Sequence, residues 1–119
     1  MSTKVVIRIV ADIPLSQMIR SARQRPGIFS EKSELVAAEV ELDHFAPDLL
    51  DTELQPLLAR SLTALTEKGC NDPMECKLEV AIQLSSQGDG VRPAMHLSRS
   101  VLKQLAAVGA SLDFDPYCV

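Results

Sequence analysis

Three stretches of this 119-residue chain place an apolar residue at every second position, with mostly polar or charged residues between. In Met74 to Leu84 (MECKLEVAIQL), Met74, Cys76, Leu78, Val80, Ile82 and Leu84 alternate with Glu75, Lys77, Glu79, Ala81 and Gln83. In Ser33 to Asp43 (SELVAAEVELD), Val36, Ala38, Val40 and Leu42 alternate with Ala37, Glu39, Glu41 and Asp43. In Ala110 to Asp115 (ASLDFD), Ala110, Leu112 and Phe114 alternate with Ser111, Asp113 and Asp115. Successive strand side chains point to opposite faces, so a period of two predicts strands covered on one side and wet on the other. A parallel sheet buried between two helical layers uses strands that are apolar throughout. The alternation therefore argues against a doubly covered sheet.

The remaining elements fit around these strands. Lys4 to Ala11 (KVVIRIVA) is β-branched and reads as a first strand. Val5, Ile7 and Ile9 share one of its faces; Lys4, Val6, Arg8 and Val10 share the other. Val6 and Val10 break the polar pattern of that outer side, which marks it as the first place to seek a dimer contact. Asp12 and Pro14 suit the start of a short helix carrying Leu15, Met18, Ile19 and Ala22, ended by Pro26-Gly27. Thr52 with Gln55 fits a capping box, and a start there keeps Pro56 in the first turn. Leu54, Leu57, Leu58, Ser61, Leu62 and Leu65 follow at helical spacing, and Gly69 suits the helix end. Ser98 caps a third helix with Val101, Leu102, Leu105, Ala106 and Val108, closed by Gly109. Gly27–Lys32 and Gln87–Pro93 read as loops. The expected fold is one α+β domain over residues 1–119, in β-α-β-α-β-α-β order. It is a two-layer sandwich, a mixed or antiparallel sheet of four to five strands with its helices on one face.

Composition narrows the function classes. A chain of this length buries roughly two-thirds of its unfolded surface and needs no disulfide or metal staple. Aromatic residues are 3% of the chain, which leaves no stacking platform for single-stranded nucleic acid. The net charge of −4 opposes binding to nucleic acid or an anionic membrane. No apolar run approaches the ~20 residues of a spanning helix. The first residues lack a basic segment followed by a long apolar one, so a cytoplasmic location is expected. An odd number of cysteines (Cys70, Cys76 and Cys118) fits free thiols. Cys70 and Cys76 lack the spacing of a zinc knuckle, and Cys76 falls on the inward side of its strand. His44 and His96 each sit at an element boundary, the usual place for a solvated imidazole. No metal, cofactor or catalytic residue is expected.

The C-terminal run from Met95 to Tyr117 (MHLSRSVLKQLAAVGASLDFDPY) resembles the end of DUF4279-type domains. Those small bacterial domains finish with a similar helix-Gly-strand passage and an acidic, tyrosine-bearing end. The resemblance implies an architecture and a bacterial source, and it carries no catalytic residues.

The strongest functional hint is the polar side of the sheet. Glu39, Glu41, Asp43, Glu75, Glu79, Asp113 and Asp115 all fall there, against Lys4, Arg8 and Lys77. An open sheet must face water with something, and solvated charge is its ordinary use. The functional alternative is a partner-binding surface, with Glu39, Glu41, Glu75, Glu79, Asp113 and Asp115 attracting a basic protein. That makes the chain a non-enzymatic protein-interaction module, an immunity-protein-like inhibitor being one concrete version, with homodimerisation through a strand edge also open. A second expectation is a small-molecule site or modest enzyme near the 87–96 loop and the 113–117 strand end. A third is anion binding by Arg20, Arg23 and Arg25, the one basic cluster, with Lys32 nearby.

Overall fold

A computed structural model describes residues 3–13, 34–86 and 94–118. Four strands form one sheet: β1 (Thr3–Asp12), β2 (Glu34–Leu42), β3 (Glu79–Ser86) and β4 (Ser111–Cys118). Helix α1 (Leu49–Glu67) and a 3-10 turn at Pro73–Cys76 lie between β2 and β3; helix α2 (Arg99–Ala107) lies between β3 and β4. The order among the described residues is thus β1-β2-α1-β3-α2-β4. The expected helix over Leu15–Ala22, the Gly27–Lys32 segment and the Gln87–Pro93 loop lie outside the described residues.

In space the strands run β2-β1-β3-β4. β1 is antiparallel to both of its neighbours, while β4 is parallel to β3, so the sheet is mixed. A parallel pair needs a crossover between its strands, and α2 lies on that connection. On the covered face, Val5, Ile7 and Ile9 of β1 lie opposite Leu42, Val40 and Ala38 of β2 and opposite Leu84, Ile82 and Val80 of β3. They join Leu50, Leu54, Leu57 and Leu65 of α1 and Val101 and Leu105 of α2 in one hydrophobic core. Both helices therefore share a core with the same side of the sheet. Ser61 is buried in the α1 stripe and donates its hydroxyl to the Leu57 carbonyl at 2.8 Å, which removes the cost of an unpaired polar group. No helix among the described residues is long and apolar enough to cross a membrane.

The helix ends follow their local signals closely at three places. Ser98 accepts the Val101 amide at 3.2 Å as the N-cap of α2. Gly69 (φ 85°) and Gly109 (φ 64°) each adopt the left-handed conformation just past a helix. Beyond them, Cys70 and Ala110 each donate an amide back to a leucine carbonyl, Leu65 and Leu105, at 2.9 Å. These bonds satisfy the last carbonyls of each helix.

Four expectations are corrected. Helix α1 begins at Leu49, with Asp48 before it, so Thr52 lies inside and donates to the Leu49 carbonyl instead of capping. Pro56 therefore sits in the helix interior. Burial of Leu49 and Leu50 in the core accompanies the extra turn. In β2 the register shifts between Ile9 and Val10, leaving Ala37 as an extra residue. A bulge reverses the facing of the residues beyond it. Leu35 consequently joins the core side, while Val36 pairs with Val10 on the open side and is 51% exposed. The alternation from Met74 does not start a strand there: Pro73–Cys76 is a 3-10 turn, Lys77 takes a left-handed φ of 46°, and β3 begins at Glu79. Asp72 caps this turn by accepting the Met74 amide at 3.0 Å. Finally, Cys70 and Cys76 are joined in a disulfide rather than standing as free thiols.

Candidate functional site

The open side of the sheet can be followed row by row from the strand register. One row runs Glu39, Arg8, Ala81, Asp113; the next runs Glu41, Val6, Gln83, Asp115; a third runs Val36, Val10, Glu79, Ser111. Asp12 and Glu34 are directly opposite each other at one end. Alternation predicted which residues point outward on β1, β3 and β4 and on β2 from Ala38 onward, but not at Leu35 and Val36, beyond the bulge. It did not predict who stands beside whom.

The charge is divided unevenly. Arg8 donates through Nε to Glu39 at 3.0 Å, and Lys4 Nζ lies 3.3 Å from Glu41. The two outward cations of β1 are thus engaged by β2. Asp113 and Asp115 of β4 face Ala81 and Gln83 of β3 and make no ion pair among the described residues. Glu79 shares a depression of about 270 Å³ with Lys77, Asp12, Glu34, Val10 and Ser111, again without an ion pair among the described residues. At the opposite end of the face, Thr3, Lys4, Glu41, Leu42 and Asp43 surround a depression of about 540 Å³.

The two edges of the sheet also differ. Arg60 of α1 donates to the Glu39 backbone carbonyl at 3.4 Å, occupying an acceptor on β2, and the Ala37 bulge lies on the same strand. On β4 the local device is Pro116, which removes a backbone donor. Val6 is 9% exposed even though it lies on the open side. Lys4 and Arg8 flank it along the strand and Glu41 and Gln83 flank it across, so the apolar gap expected on β1 is narrower than alternation implied. Val10 of the expected gap stays partly exposed, and the bulge sets the exposed Val36 opposite it.

Of the residues expected on the acidic face, Glu39, Glu41, Glu79, Asp113 and Asp115 are brought there. Glu75 is not: it lies on the 3-10 turn before β3, because the chain turns at Lys77 before entering the sheet. Asp43 lies just past β2, where its carboxylate accepts from His44 Nδ1 at 3.1 Å. That hydrogen bond is the main reason the Asp43 carboxyl is held below the usual carboxylate range, with backbone hydrogen bonding and the imidazole's charge adding to it. His96 is exposed and donates its backbone amide to the Pro47 carbonyl at 2.8 Å. Arg20, Arg23 and Arg25 lie outside the described residues, as does most of the 87–96 segment.

Three contacts had no sequence signal that names both partners: the Arg8–Glu39 pair, the Arg60 contact to β2, and the aromatic pair Phe45–Phe114. The two rings lie 6.2 Å apart with planes inclined by 19°, joining the segment after β2 to β4 on the covered side. Among the described residues, no group of three or more His, Cys, Asp and Glu side chains is arranged to hold a metal ion. Comparison with protein-family models, curated proteins and solved structures finds no match to this chain.

Proposed function

We propose that this chain is a non-enzymatic protein-binding module that captures a basic partner on the open face of its sheet. An inhibitor that neutralises a basic toxin enzyme is one form such a module takes. The observation that carries this reading is the excess of carboxylates on the β3–β4 half, where Asp113 and Asp115 have no cation across from them. A basic surface approaching this half replaces water around charges that have no ion-pair partner among the described residues. Electrostatic matching of this kind speeds encounter and selects partners by charge. Two copies stacked symmetrically on these faces would set carboxylates near carboxylates, which favours a different, basic protein over a second copy.

Affinity capture at low salt tests the reading. The immobilised wild-type chain is expected to retain a basic protein and release it as salt rises past ~0.1 M, where screening reaches about 10 Å. The combined variant Glu79→Gln, Asp113→Asn, Asp115→Asn should lose that protein, while Glu39→Gln, Glu41→Gln should keep most of it. Circular dichroism checks that both variants fold. Equal retention of the same protein by wild type and the triple variant would sink the proposal.

A further inference from the structure

The 3-10 turn joins three structural junctions. Cys70 lies just past the end of α1, Cys76 closes the turn, and β3 starts three residues later. Met74 on the same turn packs against Gly109, where a Cβ would meet its Sδ at 2.8 Å, so the turn also touches the passage from α2 to β4. The backbone amide of Ser111 donates to the Leu78 carbonyl at 2.9 Å, tying the start of β4 to the same place. A bond between Cys70 and Cys76 therefore braces the end of the open face that Lys77, Glu79 and Ser111 surround.

Two observations bear on what kind of bond this is. The Cα atoms of Cys70 and Cys76 are 7.2 Å apart. Bridged cysteines usually lie about 4.4–6.8 Å apart, and a pair more than about 7 Å apart is bridged only with backbone movement, so making or opening this bond is coupled to the position of the turn. The sulfurs of Cys70 and Cys76 also lie 3.6 and 3.4 Å from the Asp72 carbonyl oxygen. That oxygen already accepts the Glu75 amide at 3.1 Å, and its second lone pair is within reach of either thiol hydrogen, one at a time, once the bridge opens. The dithiol state thus has an acceptor in place. The fold does not need the bridge as a staple, because the core already unites both helices with the covered face of the sheet.

We propose that Cys70 and Cys76 are a reversible dithiol–disulfide couple that exchanges with small-molecule disulfides and sets how firmly the turn is held. In the oxidising direction, the thiolate of one cysteine attacks a sulfur of the small disulfide, releasing one small thiolate and leaving a mixed disulfide. The thiolate of the second cysteine then attacks the chain's sulfur and releases the other. The chain gives up two electrons and two protons; the small disulfide gains both and becomes two thiols. Both cysteines are buried, so exchange proceeds through local opening of the turn.

The test equilibrates the folded full-length chain with glutathione mixtures from fully reduced to fully oxidised. Each sample is acid-quenched, alkylated under denaturing conditions and weighed. Cys70 and Cys76 should convert together, from two alkyl groups to none, while circular dichroism stays constant. Hydrogen exchange over residues 71–79 should be faster in the reduced chain and unchanged in β1 and β2. A Cys118→Ser variant should give the same titration, which excludes bridges through that residue. The proposal is overturned if the pair stays alkylatable in the most oxidising mixture, or if it stays bridged in the most reducing one until the chain unfolds. Neither outcome depends on any basic partner, so this result stands apart from the capture experiment.

Discussion

On β2, Glu39 and Glu41 each find a cation of β1 within 3.3 Å; on β4, Asp113 and Asp115 face Ala81 and Gln83. The two halves of the open face use the same chemistry at the same alternating positions. One is paired with cations of β1, and the other makes no ion pair among the described residues. The edges repeat the contrast, since α1 reaches over β2 through Arg60 while Pro116 is the device on β4. Charge along the sequence is therefore a poor guide to the field around the fold. What counts is which carboxylate stands across from which cation, because a cross-strand pair is worth only about 0.2–1 kcal/mol yet removes most of the outward pull of both charges.

Five substitutions, the first two read as a pair, probe this contrast, beginning with the support beneath both halves. Ile82 is fully buried between β1 and β4, one residue from Gln83 on the open side. Ile82→Ala should lower stability by about 2–5 kcal/mol in denaturant titration, as expected when a large core side chain is removed. Gln83→Ala should change it by less than ~0.5 kcal/mol. Similar losses for the two would mean that the open face is covered after all.

Gly109→Ala acts on the β4 half alone. A residue with a Cβ in the left-handed conformation costs roughly 1–2 kcal/mol. The new atom must also displace Met74 Sδ, the movable end of a flexible side chain. Thermal unfolding should report the loss, and hydrogen exchange should localise it to the α2–β4 junction. An unchanged melting temperature would refute the role of this turn.

Arg8→Ala should make the β2 half resemble the β4 half. The ion pair is partly exposed, so its loss should cost no more than about 1 kcal/mol. The binding consequence is the sharper one: Glu39 loses its partner, and affinity for a lysine-rich peptide at low salt should rise. No gain in binding would show that this pair does not govern the field.

The smallest change concerns Asp43. His44→Ala removes the main cause of its depressed pKa, which should return towards the ordinary carboxylate value in an NMR titration. A depressed carboxyl contributes stability that is present above its unfolded pKa and lost as pH falls through the folded one. The variant should therefore show a weaker acid-side fall in stability over that window. An unmoved titration would assign the shift to the backbone instead.

Much of the frame was legible in the chain. The period-two stretches placed strand segments, the leucine stripe placed α1, and Ser98, Gly69 and Gly109 marked helix ends, because each signal acts within a few residues of its source. The same locality explains the misses. The start of α1 was read from a capping box, but Leu49 and Leu50 lie within the helix and in the core. Glu75 was counted on the sheet because alternation continues through it, while Lys77 turns the chain before β3. Arg8 and Glu39 are 31 residues apart, and nothing in either neighbourhood names the other.

The open, acidic side of the sheet follows from sequence alone, because alternation decides which side chains lack a cover. Tertiary structure decided how that acidity is shared. It ordered the strands β2-β1-β3-β4, inserted the bulge that turns Val36 outward, and joined Cys70 to Cys76. By setting the register of β1 it also assigned both outward cations of that strand to β2. Register is a property of paired strands, fixed by how the covered faces pack together, and it comes into being only when segments distant in the chain meet.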